Sequence, residues 1–219
     1  MGQGTGAGVH ELTVSEEIGV GPHPLPWPSG EQFDERLLAD GDRRNVLDQY
    51  RYWTVEAIVA DLDRRRHAFH VAVENWQHDF NIGTVVRNAN AFLANRVHIV
   101  GKKRWNRRGA MVTDRYVHID HYLNVAGFAE WAATEAIPLI GIDIVPNAVS
   151  IERFEFPERC CLVFGQEGPG LSSEMRAVCS AIVKIPQYGS TRSVNVGVAS
   201  GIAMHSWIVQ HPSESVDGT

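Results

Sequence analysis

The chain has 219 residues, a formal net charge of −6, 44% hydrophobic and 21% charged residues. Such proportions fit a globular protein with one substantial core and argue against a chain that coats itself in nucleic acid through bulk positive charge. No run of about eighteen apolar residues is present, so no membrane span is expected. Three cysteines, Cys160, Cys161 and Cys179, without CxxC or His/Cys spacing, suggest neither a disulfide framework nor a zinc site.

Along the chain, residues 1–30 are rich in Gly and Pro (Gly21-Pro22-His23-Pro24-Leu25-Pro26-Trp27-Pro28) and are expected to lack fixed structure. The opening residues lack the basic-then-apolar order of a secretory signal, which points to a cytoplasmic protein. Residues 31–66 carry apolar side chains at helical spacing, among them Phe33, Leu37, Leu38, Tyr50, Ile58 and Leu62, and read as an N-terminal helical extension.

From residue 67 to 211 strands and helices alternate. Apolar runs at 68–73, 96–100, 138–143, 161–164 and 181–185 read as buried strands. Ile82, Val85, Val86 and Ala89 mark a helix opening at Asn81, a good N-cap, and Asn124 caps another that runs through Glu135. The last helix starts near Asn195 and carries small residues at Gly197, Ala199, Ser200, Gly201 and Ala203, which permit close approach of another backbone. The stretch 212–219 reads as a polar tail. The alternation predicts an α/β domain, a mainly parallel sheet with helices on both faces. Ligands bind such sheets beyond the carboxyl ends of the strands.

Three turns at that edge carry the chemistry. Asn81-Ile82-Gly83-Thr84-Val85-Val86-Arg87 opens a helix, with Arg87 off the stripe of Asn81. Gly165-Gln166-Glu167-Gly168-Pro169-Gly170 is a tight turn that holds one carboxylate in place. It lacks the Gly-Lys-Ser/Thr ending of a phosphate loop and the spacing of a dinucleotide fingerprint. Ile185-Pro186-Gln187-Tyr188-Gly189-Ser190-Thr191-Arg192-Ser193-Val194-Asn195 precedes the last helix. Taken singly, each has an ordinary explanation: a capped helix with an exposed Arg, a tight turn, a helix cap.

A separate signal is Lys102-Lys103-Arg104-Trp105-Asn106-Arg107-Arg108, five cations in seven residues. A solvated basic loop would look similar. The interposed Trp105, able to stack on a base, favours RNA.

In this order and at these distances, the three turns resemble the SpoU/TrmH family of RNA ribose 2′-O-methyltransferases, within the SPOUT class, over residues 68–210. The resemblance implies a C-terminal deep trefoil knot, S-adenosylmethionine bound in it and released as S-adenosylhomocysteine, a homodimer, no metal, and a tRNA or rRNA substrate. Position by position it implies catalytic roles for Arg87, Asn81, Glu167, Ser193 and Asn195. Cofactor contacts are implied at Gly165, Ile185 and Val194, with Gly189 and Val163 beside them. The RNA contacts expected at Lys102, Lys103, Arg104, Trp105, Arg107 and Arg108 rest on the charge cluster itself. Gln166 stands where the family more often has Asn, Val194 where it has Leu, and Leu93 where it has Gly. Two rivals are a catalytically silent knotted RNA-binding or assembly protein, and a nucleotide-dependent enzyme that uses the glycine turns for phosphates.

Overall fold

The structure, a computed structural model, describes residues 19–76 and 81–212. The described residues fall into two compact units, divided between Thr54 and Val55. Residues 1–18 of the Gly/Pro-rich segment, 77–80 just before Asn81, and 213–219 of the polar tail lie outside the described residues.

In the first unit, residues 19–30, read from their Gly and Pro content as lacking fixed structure, are hydrogen-bonded. Val20 and Asp42 exchange backbone bonds of 2.9 Å each way, and the Tyr52 hydroxyl donates to the Gly21 carbonyl at 2.7 Å. Helix α1 (Glu35–Asp40) starts on Asp34, whose carboxylate accepts from the N–H groups of Arg36 at 2.9 Å and Leu37 at 3.3 Å. The fully buried Asp42 accepts the Arg44 guanidinium through both oxygens, at 2.9 and 2.6 Å. It also accepts the backbone N–H groups of Arg44 and Tyr52, each at 3.0 Å. Burial alone would raise its pKa, but these bonds to the charged form outweigh burial and hold it at about 2.

The second unit begins with α2 (Val55–Asp63), which the sequence had grouped with the N-terminal extension. There follow β1 (His70–Asn75), α3 (Ile82–Ala91), β2 (Val97–Gly101), β3 (Ile119–Tyr122) and α4 (Val125–Thr134). The chain continues through β4 (Leu139–Ile142), β5 (Val149–Ser150), β6 (Cys161–Phe164), α5 (Ser173–Val178), β7 (Ala181–Lys184) and α6 (Val196–Gln210). The sheet order is β3-β2-β1-β6-β4-β7-β5, and every pairing is parallel. Among the described residues no helix is long and apolar enough to cross a membrane.

Alternate strand residues serve opposite faces. Val71, Val73, Ile140, Leu162 and Phe164 pack with α3 and α6 through Val85, Val86, Ala203, Met204 and Trp207. Ala72, Val100, Leu139, Cys161 and Val163 pack with α4 and α5 through Val125, Phe128 and Met175. Both faces are covered, which is why the strands read as unbroken apolar runs. Strands β3 and β5 escaped sequence reading because they sit at the sheet edges. The former reads Ile-Asp-His-Tyr and the latter has only two residues.

Parallel pairing puts the strand ends in register. Asn75 lies beside Gly101, Phe164 beside Val73 and Ile142, and Lys184 beside Ser150. All three turns singled out from the sequence therefore leave the same edge.

Candidate functional site

The turn after β6 is built around close backbone approach. Gln166 and Gly170 exchange N–H to carbonyl bonds of 3.1 Å in both directions. A Cβ on Gly165 would lie 2.1 Å from the carbonyl carbon of Gly170, so no side chain fits there. Two carboxylates anchor the far side of this turn. Asp143, just past β4, accepts from the N–H groups of Leu171 at 3.0 Å and Ile144 at 2.7 Å. Glu74, fully buried on β1, accepts from the Ser172 N–H at 2.7 Å and the Trp76 indole N–H at 2.9 Å. Sequence reading missed both acids. The available signal was an acid at the end of one apolar strand and another inside a second.

Between this turn, the end of β4 and the segment before α6 lies a cleft of about 380 Å³. Of the residues expected to act there, Gly165, Glu167, Ile185, Ser193, Val194 and Asn195 line it. Gly189 is exposed and outside the lining. Val163 is also outside, because strand alternation turns its buried side chain to the opposite face, into the cluster with Leu171 and Met175. Asp143, Arg176, Gln187 and Arg192 line the cleft as well, and none of these four was identified as a site residue from sequence.

At the exposed rim, three side chains from three separate turns meet. Asn195 Nδ2 donates to Asn81 Oδ1 at 2.8 Å and to Glu167 Oε1 at 3.4 Å, and Asn81 Nδ2 donates to Glu167 Oε2. Asn195 does a second job with its other atom. Its Oδ1 accepts from the N–H groups of Gly197 at 2.8 Å and Val198 at 3.3 Å, capping α6 as expected. Asn81 differs from expectation. Its backbone is helical and its side chain makes no cap bond, because the amide is turned toward Glu167 and Asn195 instead. Asn124 does cap α4, accepting from the Gly127 N–H at 2.9 Å.

Arg87, in the middle of α3, is exposed and is not among the described residues lining the cleft of its own chain. It shares a stripe of that helix with Gly83, one turn earlier. A Cβ on Gly83 would sit 2.7 Å from the Ala110 nitrogen and 2.8 Å from the Gly109 Cα, so the two residues that follow the basic stretch are packed directly on α3.

The basic stretch is fixed at its start by the buried Asn75, whose Nδ2 donates to the carbonyls of Lys102 at 2.6 Å and Arg104 at 2.9 Å. Lys102, Lys103, Arg104, Arg107 and Arg108 are exposed. Trp105 is half-buried, packs against the α3 side of the core, and has the Arg107 guanidinium 5.5 Å from its ring centroid. Arg107 also pairs with Asp114 at 3.3 Å. A second group of cations, Arg64-Arg65-Arg66 after α2, is engaged within the protein: Arg64 and Arg65 pair with Asp61, and Arg66 pairs with Asp63 and donates to the carbonyls of Ala94 at 3.3 Å and Tyr116 at 2.9 Å.

The most perturbed histidines lie away from the cleft. His70 Nδ1 and His98 Nε2 share a hydrogen bond of 3.0 Å, and the His98 ring centroid lies 4.0 Å from that of Trp131. Burial, aided for His70 by Arg159 and Arg96, lowers its pKa to about 4. Burial and the neighbouring His70 and Arg96 take His98 to about 2. Their rings pack against Tyr122, Phe128 and Trp131, with Asp120 3.9 Å from His98 Nδ1.

The family model described as SpoU rRNA Methylase matches residues 68–205. The chain is 25% identical over 140 residues to a Borreliella burgdorferi protein named tRNA (guanosine(18)-2′-O)-methyltransferase. That match covers 63% of this chain and 64% of the relative, so the chain spans under two-thirds of that relative's length. Among solved structures, it is similar in fold to the A. aeolicus TrmH/SpoU tRNA modifying enzyme. The TM-score there is 0.64 at 22% identity, over 72% of this chain and 82% of that one. It is likewise similar to the SpoU methyltransferase AviRb from Streptomyces viridochromogenes in complex with the cofactor AdoMet. The TM-score is 0.60 at 22% identity, over 71% of this chain and 62% of that one.

Proposed function

The chain belongs to the SpoU rRNA methylase family, and we propose that it transfers a methyl group from S-adenosylmethionine to a ribose 2′-hydroxyl of tRNA or rRNA. The observation that carries this reading is the junction of Asn81, Glu167 and Asn195 at the rim of the cleft. It ties the helix bearing Arg87 to the two turns that form the cleft walls. The cleft fits such a donor in kind, since it combines close backbone approach at Gly165 with apolar walls at Ile142 and Ile185 and charged side chains at Asp143, Glu167, Arg176 and Arg192. The bound cofactor supplies an already activated methyl group.

The work of the protein is alignment and charge stabilisation. Gly165, Ile185 and Val194 hold the donor, with Gly189 and Val163 supporting the turns from outside the lining. Asn81, Glu167, Ser193 and Asn195 shape the rim where the ribose enters. The guanidinium of Arg87 stays protonated, which makes it a poor base and a good partner for a developing alkoxide and the phosphate next to it. That phosphate assists removal of the hydroxyl proton. Because Arg87 lies outside its own cleft, we place it opposite the cleft of a second copy, in a homodimer whose two sites are each completed across the interface. The same reading includes a knotted C-terminal region and a cytoplasmic location. Lys102, Lys103, Arg104, Arg107 and Arg108 hold RNA phosphates, on the side of α3 that Arg87 shares, and Trp105 braces them.

Calorimetry separates this reading from its nucleotide-binding rival. S-adenosylmethionine is expected to bind, and ATP and NAD are not. Binding of ATP or NAD without the sulfonium compound contradicts the proposal. For the silent-protein rival, methyl transfer itself decides.

A further inference from the structure

Between Arg108 and Arg115 the chain makes a sharp knuckle. Ala110 and Thr113 are buried, and the Thr113 hydroxyl donates to the Ala110 carbonyl at 2.6 Å. The two residues between them, Met111 and Val112, are pushed outward and are 56% and 52% exposed. Both have left-handed backbone, with φ 47° and ψ 44° at Met111 and φ 69° and ψ 0° at Val112. Those angles are close to the centre of a type I′ turn, where Asn-Gly is the favoured pair. A β-branched valine there is an outlier that lowers stability. One exposed apolar side chain needs no explanation. Two in succession, presented by a strained turn whose flanks are anchored in the core, point to a partner.

The surroundings indicate that partner's chemistry. Arg107 and Arg108 stand just before the tip and Arg115 just after it, all three exposed. Asp114 is the acid of this segment, and it is already paired with Arg107 at 3.3 Å. An apolar point flanked by cations suits a polyanion that carries flat apolar faces, with phosphates for the arginines and nucleobases for the tip. We infer that Met111 and Val112 form an apolar tip that seats against unstacked nucleobases of the substrate RNA. This inference rests on the RNA-methylation reading above. Gly109 and Ala110, which lead into the tip, pack on Gly83, one turn before Arg87 on the same stripe of α3. The tip therefore springs from the part of the molecule that carries the proposed charge stabiliser. Methionine and other apolar side chains inserted beside bases hold a stack open in other nucleic-acid complexes, and an opened stack frees the ribose for reaction.

The test compares the wild-type chain with Met111→Asn/Val112→Gly, which gives the turn its favoured pair and removes the apolar tip. The variant is expected to melt at or above the wild-type temperature. Its affinity for a mixture of tRNA and rRNA transcripts is expected to fall roughly tenfold. The slope of log affinity against log salt stays the same, because no cation is removed. Heparin, a polyanion without bases, is expected to bind both proteins alike. Met111→Gln, which keeps side-chain length and leaves Val112 in place, is expected to weaken RNA binding by a smaller factor, about threefold. Unchanged RNA affinity in both variants overturns the inference, and so does an equal loss of heparin affinity. Altered sedimentation of the variants without RNA also overturns it, since the tip then meets a second copy of the chain. A wild-type chain that binds none of these RNAs overturns the RNA reading itself, and the role of the tip falls with it.

Discussion

Asn195 donates to Asn81 at 2.8 Å across 114 residues of chain. One amide thereby joins the start of α3 to the start of α6, while its oxygen caps α6. The two duties are separable by substitution. Asn195→Asp keeps a cap acceptor but replaces the donor by an oxygen facing Asn81 Oδ1 and Glu167. Stability within about 1 kcal/mol of wild type is expected, with methyl transfer reduced at least tenfold. Thermal melts and single-turnover transfer assays check this. Full activity in Asn195→Asp means that capping is the residue's only role.

The two glycines at the ends of the proposed cofactor turns predict opposite outcomes. Gly165→Ala forces a Cβ to within 2.1 Å of the Gly170 backbone, whereas a Cβ on Gly189 meets nothing within 4 Å. S-adenosylmethionine affinity is therefore expected to fall at least a hundredfold in Gly165→Ala and to change less than about twofold in Gly189→Ala. Isothermal titration of both variants reads the contrast.

Arg87 lies on a helix that reaches the cleft through Asn81, yet its own side chain is outside the cleft lining. If each site takes Arg87 from one copy and Glu167 from the other, Arg87→Ala and Glu167→Ala homodimers are both inactive. Mixed and refolded together, they regain activity, because a heterodimer holds one intact site. The mixture should reach roughly a quarter of wild-type activity, half of the dimers being mixed with one working site each. No recovery on mixing places both residues in one subunit's site.

The exposed stretch Lys102, Lys103 and Arg104 is anchored through its backbone by Asn75, so its charge can be reversed without disturbing the core. Changing all three to Glu is expected to weaken RNA binding at least tenfold and to lower the slope of log affinity against log salt by about 0.7–0.9 per lost phosphate contact. S-adenosylmethionine affinity stays unchanged. Filter-binding titrations across salt concentrations measure the slope.

Acid stability depends on groups far from the cleft. His70 and His98 have pKa values lowered to about 4 and about 2 against an ordinary 6.5, so the unfolded chain binds more protons than the folded one below pH 6.5. Stability from this pair is full above pH 6.5 and declines as pH falls, down to about 4 for His70 and about 2 for His98. Keeping one imidazole neutral from pH 6.5 to about pH 4.5 costs on the order of 3 kcal/mol. Urea unfolding at pH 7.5 and 5.0 should show the decline, and His70→Phe/His98→Phe should show less of it. Asp42, at about 2 against 3.8, contributes separately, its share being lost only as pH falls from about 4 through 2.

Much of this was readable from the chain because the relevant rules are local. Apolar runs gave five of the seven strands, since both sheet faces are buried. Asn124 and Asn195 could be placed as caps because a cap needs only a side-chain acceptor at a helix start. Asn81 looked identical in sequence, but long-range partners took its amide, and no local pattern encodes Glu167 lying beside it. Trp105 looked free to stack because its neighbours in sequence are charged, whereas its neighbours in space are core residues. Glu74 and Asp143 were missed for a related reason. Their meaning depends on which backbone they face, which only the sheet order reveals.

The most direct measurement is nucleoside analysis by mass spectrometry after incubating the protein, tRNA and rRNA with S-adenosylmethionine carrying a deuterated methyl group. The account predicts label in 2′-O-methylated nucleosides with the wild-type chain and none with Arg87→Ala. Label on a base, or no label with the wild-type chain across these RNAs, contradicts it.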